Sequence, residues 1–216
     1  MADIFQEVDE EIRKDKATEL WKKYGGIVIG ACLAIVVGTG ANVGWREYKI
    51  SLRQEESARF VDAAKLAVDG NTTEAIDSFR ALSNEARTGY AVLAQLREAA
   101  ERVKAGDRKG AITLYDAIAE ANDHGPAITN LAQIMAVGLM MDESPAEDIE
   151  ARLSVLDDGN SPWRFTAQEF RAMLAHRDGR IDAARELYKT LSEMAGVPEG
   201  LRQRSAQMLA ILGEGS

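Results

Sequence analysis

From Tyr24 to Trp45 the chain reads YGGIVIGACLAIVVGTGANVGW without one charged residue, in a protein that is 28% charged overall. As a helix this run rises about 33 Å, against about 30 Å for the hydrocarbon core of a bilayer. A helix this apolar on every side needs either lipid around it or a far larger domain to hide in. The flanks match lipid: Trp21, Lys22, Lys23 and Tyr24 stand at one end, and Trp45, Arg46, Tyr48 and Lys49 at the other. Amphipathic rings and long cations collect at the two membrane interfaces in this way. The expectation is a single-pass membrane helix over 24–45, preceded by a leader, 1–23, and followed by a domain, 46–216.

A cleaved signal peptide fits the leader poorly. Its 23 residues carry seven acids and five bases, whereas a signal peptide opens with a short basic region and has an apolar core of about 7–15 residues. An uncleaved signal anchor is the better reading, with the only cysteine, Cys32, inside the span. Arg13, Lys14, Lys16, Lys22 and Lys23 crowd the N-terminal flank, so the positive-inside rule favours a cytoplasmic N-terminus and an external C-terminal domain. In the leader, Ile4, Phe5, Val8 and Ile12 recur at helical spacing among charges, which predicts an amphipathic helix. Within the span, Gly26, Gly30, Ala34 and Gly38 repeat every four residues and share one side of the helix. Because lipid supplies no hydrophobic force between helices, close approach over small residues is a main source of association. These four positions are the expected packing face, toward an intramembrane partner or a second copy in a homodimer.

The remainder predicts an all-α domain. Ala, Leu, Glu, Arg and Gln are abundant, prolines number four in the whole chain, and no Asn-Gly hairpin signal occurs. Residues 46–216 carry 21 bases against 28 acids, a balance that argues against nucleic-acid binding, which needs clustered cations for phosphates. Internal repetition organises this part. GNTTEAIDSFRAL from Gly70 lies over GDRKGAITLYDAI from Gly106, and over GRIDAARELYKTL from Gly179. The first two starts are 36 residues apart and the last two 73, nearly two periods. The missing copy falls in DESPAEDIEARLSVL from Asp142, where Ile149 and Val155 keep the pattern with a one-residue slip.

In each clear copy a glycine turn ends one helix and restarts the chain antiparallel. A small residue (Ala75, Ala111, Ala184) lets paired helices approach, and an aromatic four positions on (Phe79, Tyr115, Tyr188) fills the space between repeats. First helices of the pairs are expected at about 55–69, 89–105, 126–141 and 162–178, with a capping helix near 198–212. The prediction is a solenoid of about four helix pairs.

At these residues the chain resembles the tetratricopeptide-repeat class, in a divergent form that lacks the usual Trp-Leu-Gly-Tyr signature of the first helix. With a single N-terminal span behind a short acidic leader, the layout looks like the YfgM-like family, tetratricopeptide-repeat ancillary subunits of the bacterial SecYEG translocon. That resemblance implies an inner-membrane protein with its repeats in the periplasm, beside the translocon and working with a PpiD-type periplasmic chaperone. A membrane-anchored scaffold with cytoplasmic repeats, regulating another complex, is the alternative reading.

Catalytic signals are weak. His124 and His176 have no partner motif, no metal-ligand spacing involves Cys32, and neither a phosphate loop nor a nucleophile elbow occurs. No enzymatic role, cofactor or metal is expected. Two features are weighed for binding. Met135, Met140 and Met141 offer flexible, polarizable side chains, and Trp163 and Phe165 follow Pro162. Both groups fit ordinary core packing better than ligand contact.

Overall fold

The computed structural model describes residues 2–121, 124–156 and 161–213. Among them the regular elements are α-helices: α1 (Ala2–Val68), α2 (Thr72–Glu85), α3 (Tyr90–Lys104), α4 (Arg108–Ala121), α5 (Pro126–Met140), α6 (Ala146–Val155), α7 (Arg164–Arg177), α8 (Ile181–Glu193) and α9 (Glu199–Leu212). The chain divides into two compact units, 1–54 and 55–216.

In the first unit α1 runs without a break through both ends of the apolar stretch, so leader and stretch are parts of one helix. No proline precedes Pro126, and each glycine keeps its N–H, so nothing interrupts the i→i−4 ladder. The leader side chains Ile4, Phe5, Val8 and Ile12 lie outside the described residues. Trp21 lays its ring against Gly25, where a Cβ would stand only 3.3 Å away.

The second unit is a stack of helix pairs. The end of α1 pairs with α2, α3 with α4, α5 with α6 and α7 with α8, and α9 closes the series. Each second helix buries a triad at i, i+4 and i+7, the spacing of one helix face. Ala75, Phe79 and Leu82, then Ala111, Tyr115 and Ile118, then Ala184, Tyr188 and Leu191 are all at most 1% exposed. The aromatic in each triad is ringed by alanines from neighbouring helices. Phe79 shares a buried cluster with Ala63 and Ala94, Tyr115 with Ala99, Ala132 and Ala136, and Tyr188 with Ala172 and Ala175. Burial also pushes the Tyr115 hydroxyl above its ordinary pKa.

The third copy differs from the one-residue slip expected of it. At α6 the triad is Ile149, Leu153 and, just past the helix, Leu156, each 0% exposed, whereas Val155 is 63% exposed. The i, i+4, i+7 register is therefore intact. A larger residue stands where the other copies have alanine, and a smaller one where they have an aromatic. Total volume is roughly conserved, which cores tolerate well. The turn ahead of it also lacks glycine. At Gly70, Gly106 and Gly179 the backbone has φ of 84°, 82° and 75°, and the next N–H closes a 6→1 bond of 2.8–2.9 Å onto Leu66, Arg102 or Ala175. Before α6, Ser144 N–H instead bonds Met140 O at 3.0 Å, and Pro145 opens the helix.

Polar contacts recur at the repeat interval. Arg152 grips both Asp116 oxygens, 36 residues back, and Arg204 grips both Glu169 oxygens, 35 back, at 2.9 and 3.0 Å. Arg177 donates to Met141 O at 2.8 Å, again 36 back. Contacts one period apart mean that each pair stacks directly on the next.

At the α3–α4 turn, Asp107 Oδ1 accepts the Gly110 N–H at 2.9 Å, and Arg102 Nη1 lies 2.8 Å from Oδ2. The backbone bond first, then Arg102, hold this carboxyl below its ordinary pKa. A carboxyl depressed by folding contributes stability above its unfolded pKa, near 4, and loses it as pH falls through the folded value. Asp107→Asn can still cap but cannot titrate. In thermal melts of the full chain in detergent, the wild type should lead this variant at neutral pH, with the gap shrinking as pH falls below about 4. A gap independent of pH would show that the Asp107 charge contributes nothing.

Candidate functional site: an apolar span and a methionine-lined groove

Two surfaces are unusual for what they leave uncovered. In the first unit Ile27, Ile29, Leu33, Ile35, Val36, Val37 and Val43 are each 52–68% exposed, on one helix long and apolar enough to cross a membrane. Such exposure of contiguous apolar surface marks an interaction surface, with lipid or with protein. Its ends carry paired rings and cations: Lys23 Nζ sits 5.4 Å from the Tyr24 ring centroid, and Lys49 Nζ 5.4 Å from that of Trp45. Gly26, Gly30, Ala34 and Gly38 are exposed, and a Cβ added at any of the three glycines would meet nothing within 4 Å.

The second surface is a groove of about 650 Å³ lined chiefly by α7 and α9, together with Met141 and Asp142 just after α5. Its apolar lining is Met141, Met173, Met208 and Ile211, with the buried Tyr188 beneath. Three pairs along it, Glu169/Arg204, Met173/Met208 and His176/Ile211, are each 35 residues apart, so consecutive first helices place equivalent positions on its two walls. The Glu169–Arg204 bridge ties those walls together. Arg177 donates to Met141 O and Ser144 O at 2.8 and 2.9 Å, so holding the turn after α5 against the end of α7. Burial, and secondarily the Glu169 charge, push the Tyr188 hydroxyl above its ordinary pKa, keeping it neutral. A volume of this size, mostly apolar with a few fixed polar groups, suits side chains of another polypeptide.

Of the methionines weighed from sequence, Met140 and Met141 are 7% exposed and belong to the core of α5–α7, while Met135 is 42% exposed and lies outside the groove. Phe165 is core, and Trp163 packs half-buried on that of α5–α7. Of the two histidines, His176 lines the groove, and His124 stands in the turn before α5, whose Asn122 and Asp123 lie outside the described residues. Met173, Gln207, Met208 and Ile211 were not singled out from sequence. Laying α7 on α9 at a 35-residue offset would have paired the methionines.

Stacked antiparallel helix pairs with alanine–aromatic contacts define a helical-repeat protein. Residues 18–205 match the tetratricopeptide repeat-like domain family, and the chain belongs to it. No curated protein and no solved structure matches the chain. Domains of this class mediate protein partnerships and are typically non-enzymatic scaffolds.

Proposed function

We propose that this protein is a membrane-tethered interaction module, an ancillary subunit of a SecYEG-type translocon in the bacterial inner membrane. The N-terminus is cytoplasmic and the repeats face the periplasm, where they work with a PpiD-type chaperone on chains leaving the channel. One observation carries this reading. The family match begins at Thr18, ahead of the apolar run, and continues through the repeats to residue 205, and aromatic and cationic residues stand at both ends of the run. An anchor and an interaction scaffold in one matched region describe a protein whose partners work at the membrane. The leader and repeats are acidic, which argues against simple adhesion to anionic lipid and for protein partners. In the groove, three flexible thioethers adapt to varied apolar side chains, as handling many different clients requires.

The test is co-purification with the translocon core in mild detergent. Gly30→Leu with Gly38→Leu should leave insertion intact, since leucine is favourable in a bilayer, and should reduce recovered channel severalfold by separating the helix backbones. Val36→Leu, which adds little bulk, should recover it in full. Equal recovery from both variants would remove the glycine face from the interaction, and no channel in any eluate would refute the translocon reading.

A further inference from the structure

Just past the apolar run, α1 carries three cations on one side. Arg46, Lys49 and Arg53 are spaced three and four residues apart, so they fall within about 60° of the helix circumference. The one acid between Ala41 and Gln54 is Glu47, which lies about 100° or more around the helix from each of them. Glu56, three residues past Arg53, is only 5% exposed and is held by the Arg87 N–H at 2.7 Å and by the Thr88 hydroxyl. All three cations are exposed, and among the described residues none of them pairs with a carboxylate. Arginines of the repeats differ: Arg59, Arg80, Arg102, Arg152 and Arg204 each grip one. The other end of the run has no such stripe. Lys22 and Lys23 lie about 100° apart there, and Glu19 stands one helix turn from both.

Height along the axis gives the stripe its setting. Arg46, Lys49 and Arg53 stand about 1.5, 6 and 12 Å beyond Trp45, where the run ends, and a headgroup layer is about 5–8 Å thick on each side of the hydrocarbon. Cα–Cβ bonds in a helix tilt toward its N-terminus. On this flank that direction is the bilayer, so the side chains of Lys49 and Arg53 start back toward the headgroups. Lys49 Nζ lies 5.4 Å from the ring centroid of Trp45, one turn nearer the run.

We infer that Arg46, Lys49 and Arg53 form a binding site for the phosphates of anionic phospholipid, in the leaflet on the side of the repeats. The inference rests on the proposed membrane anchor. A zwitterionic headgroup carries its own cation beside its phosphate, whereas a net-anionic headgroup leaves that charge for the stripe to neutralise. Each cation near an anionic surface contributes about fivefold to binding, and the two guanidinium forks match phosphate oxygens. The repeats are acidic, so attraction to an anionic surface is confined to this stripe.

The test reconstitutes the full chain in phosphatidylcholine vesicles doped with brominated phosphatidylglycerol or, separately, with brominated phosphatidylcholine. Bromine quenches tryptophan on contact. A Trp21→Phe background leaves Trp45 as the reporter beside the stripe, with Trp163 on the core of α5–α7 as a constant signal. Quenching should show a preference for the anionic lipid on the order of severalfold. Arg46→Gln with Lys49→Gln and Arg53→Gln should abolish that preference, and Arg46→Lys with Arg53→Lys should keep most of it. Lys22→Gln with Lys23→Gln should leave it unchanged. Inorganic phosphate should weaken the preference no more than sodium chloride of equal ionic strength does; stronger displacement by phosphate would assign the stripe to a soluble anion and overturn the lipid site. A chain that fails to float with the vesicles would remove the anchor, and the lipid site with it. A chain that floats but is quenched equally by both lipids, or a triple variant as selective as its parent, would leave the anchor standing and overturn the lipid site.

Discussion

Ala111→Arg should melt the middle of the repeat stack. Ala111 is 0% exposed where α3, α4 and α5 meet, in a cluster with Ala99, Tyr115, Ala132 and Ala136. An arginine there must either push α4 away from its neighbours or bury a cation among apolar side chains. Burying an unpaired charge costs several kcal/mol, a large fraction of the roughly 5–15 kcal/mol that holds a domain folded. Because each pair in a solenoid contacts mainly its neighbours, the loss should be local before it is global. Hydrogen exchange should show α3, α4 and α5 losing protection, with α8 and α9 keeping most of theirs, and the thermal midpoint should fall by many degrees. An unchanged melt would mean that Ala111 does not face the helix contact.

Leu153→Ala should cost about 2–5 kcal/mol, and Val155→Ala less than about 0.5. The two residues are neighbours on α6, yet Leu153 is 0% exposed in the core of α5–α7 and Val155 is 63% exposed. Denaturant melts of both variants separate the intact register from the slipped one. Equal costs, or a larger cost at Val155, would mean that α6 is rotated from the orientation described. Restoring the pattern of the other copies with Ile149→Ala and Leu153→Phe together should be milder than either change alone, since the gain in volume at one position offsets the loss at the other.

These cases show which parts of the fold a sequence reader can reach. The turns at Gly70, Gly106 and Gly179 announce themselves because a φ near 80° favours glycine. The alanine and aromatic four residues apart recur because two helices and a ring must share one space. The third copy was located by its spacing, but its register hid because packing constrains summed volume rather than identity, so Ile149 with Leu153 serves where Ala111 with Tyr115 serves elsewhere. Its turn uses Ser144 and Pro145 in place of the glycine. The groove was harder still. Its walls are set by tertiary pairing across 35 residues, and Met173 and Met208 read individually as unremarkable core-type residues. Of the groove's methionines only Met141, through its place beside Met140, drew notice, and its carbonyl accepts from Arg177.

The unbroken course of α1 also has a local cause. Sequence patterning changes at Tyr24 and again after Trp45, from amphipathic to apolar and back to charged. A change of solvent partner does not require a change of backbone, and without proline or an αL glycine the helix continues. Composition therefore divides the stretch where hydrogen bonding does not.

The proposal of a membrane anchor with the repeats outside the cytoplasm is tested most directly by reporters fused after Ser216 of the full chain in a Gram-negative host. Alkaline phosphatase, which folds only where disulfides form, should be active, and green fluorescent protein exported through the same channel should be dark, with both fusions resisting extraction from membranes at high salt and alkaline pH. A fluorescent, phosphatase-inactive pair would place the repeats in the cytoplasm and contradict the translocon reading. Fusions released in the soluble fraction would contradict the anchor itself.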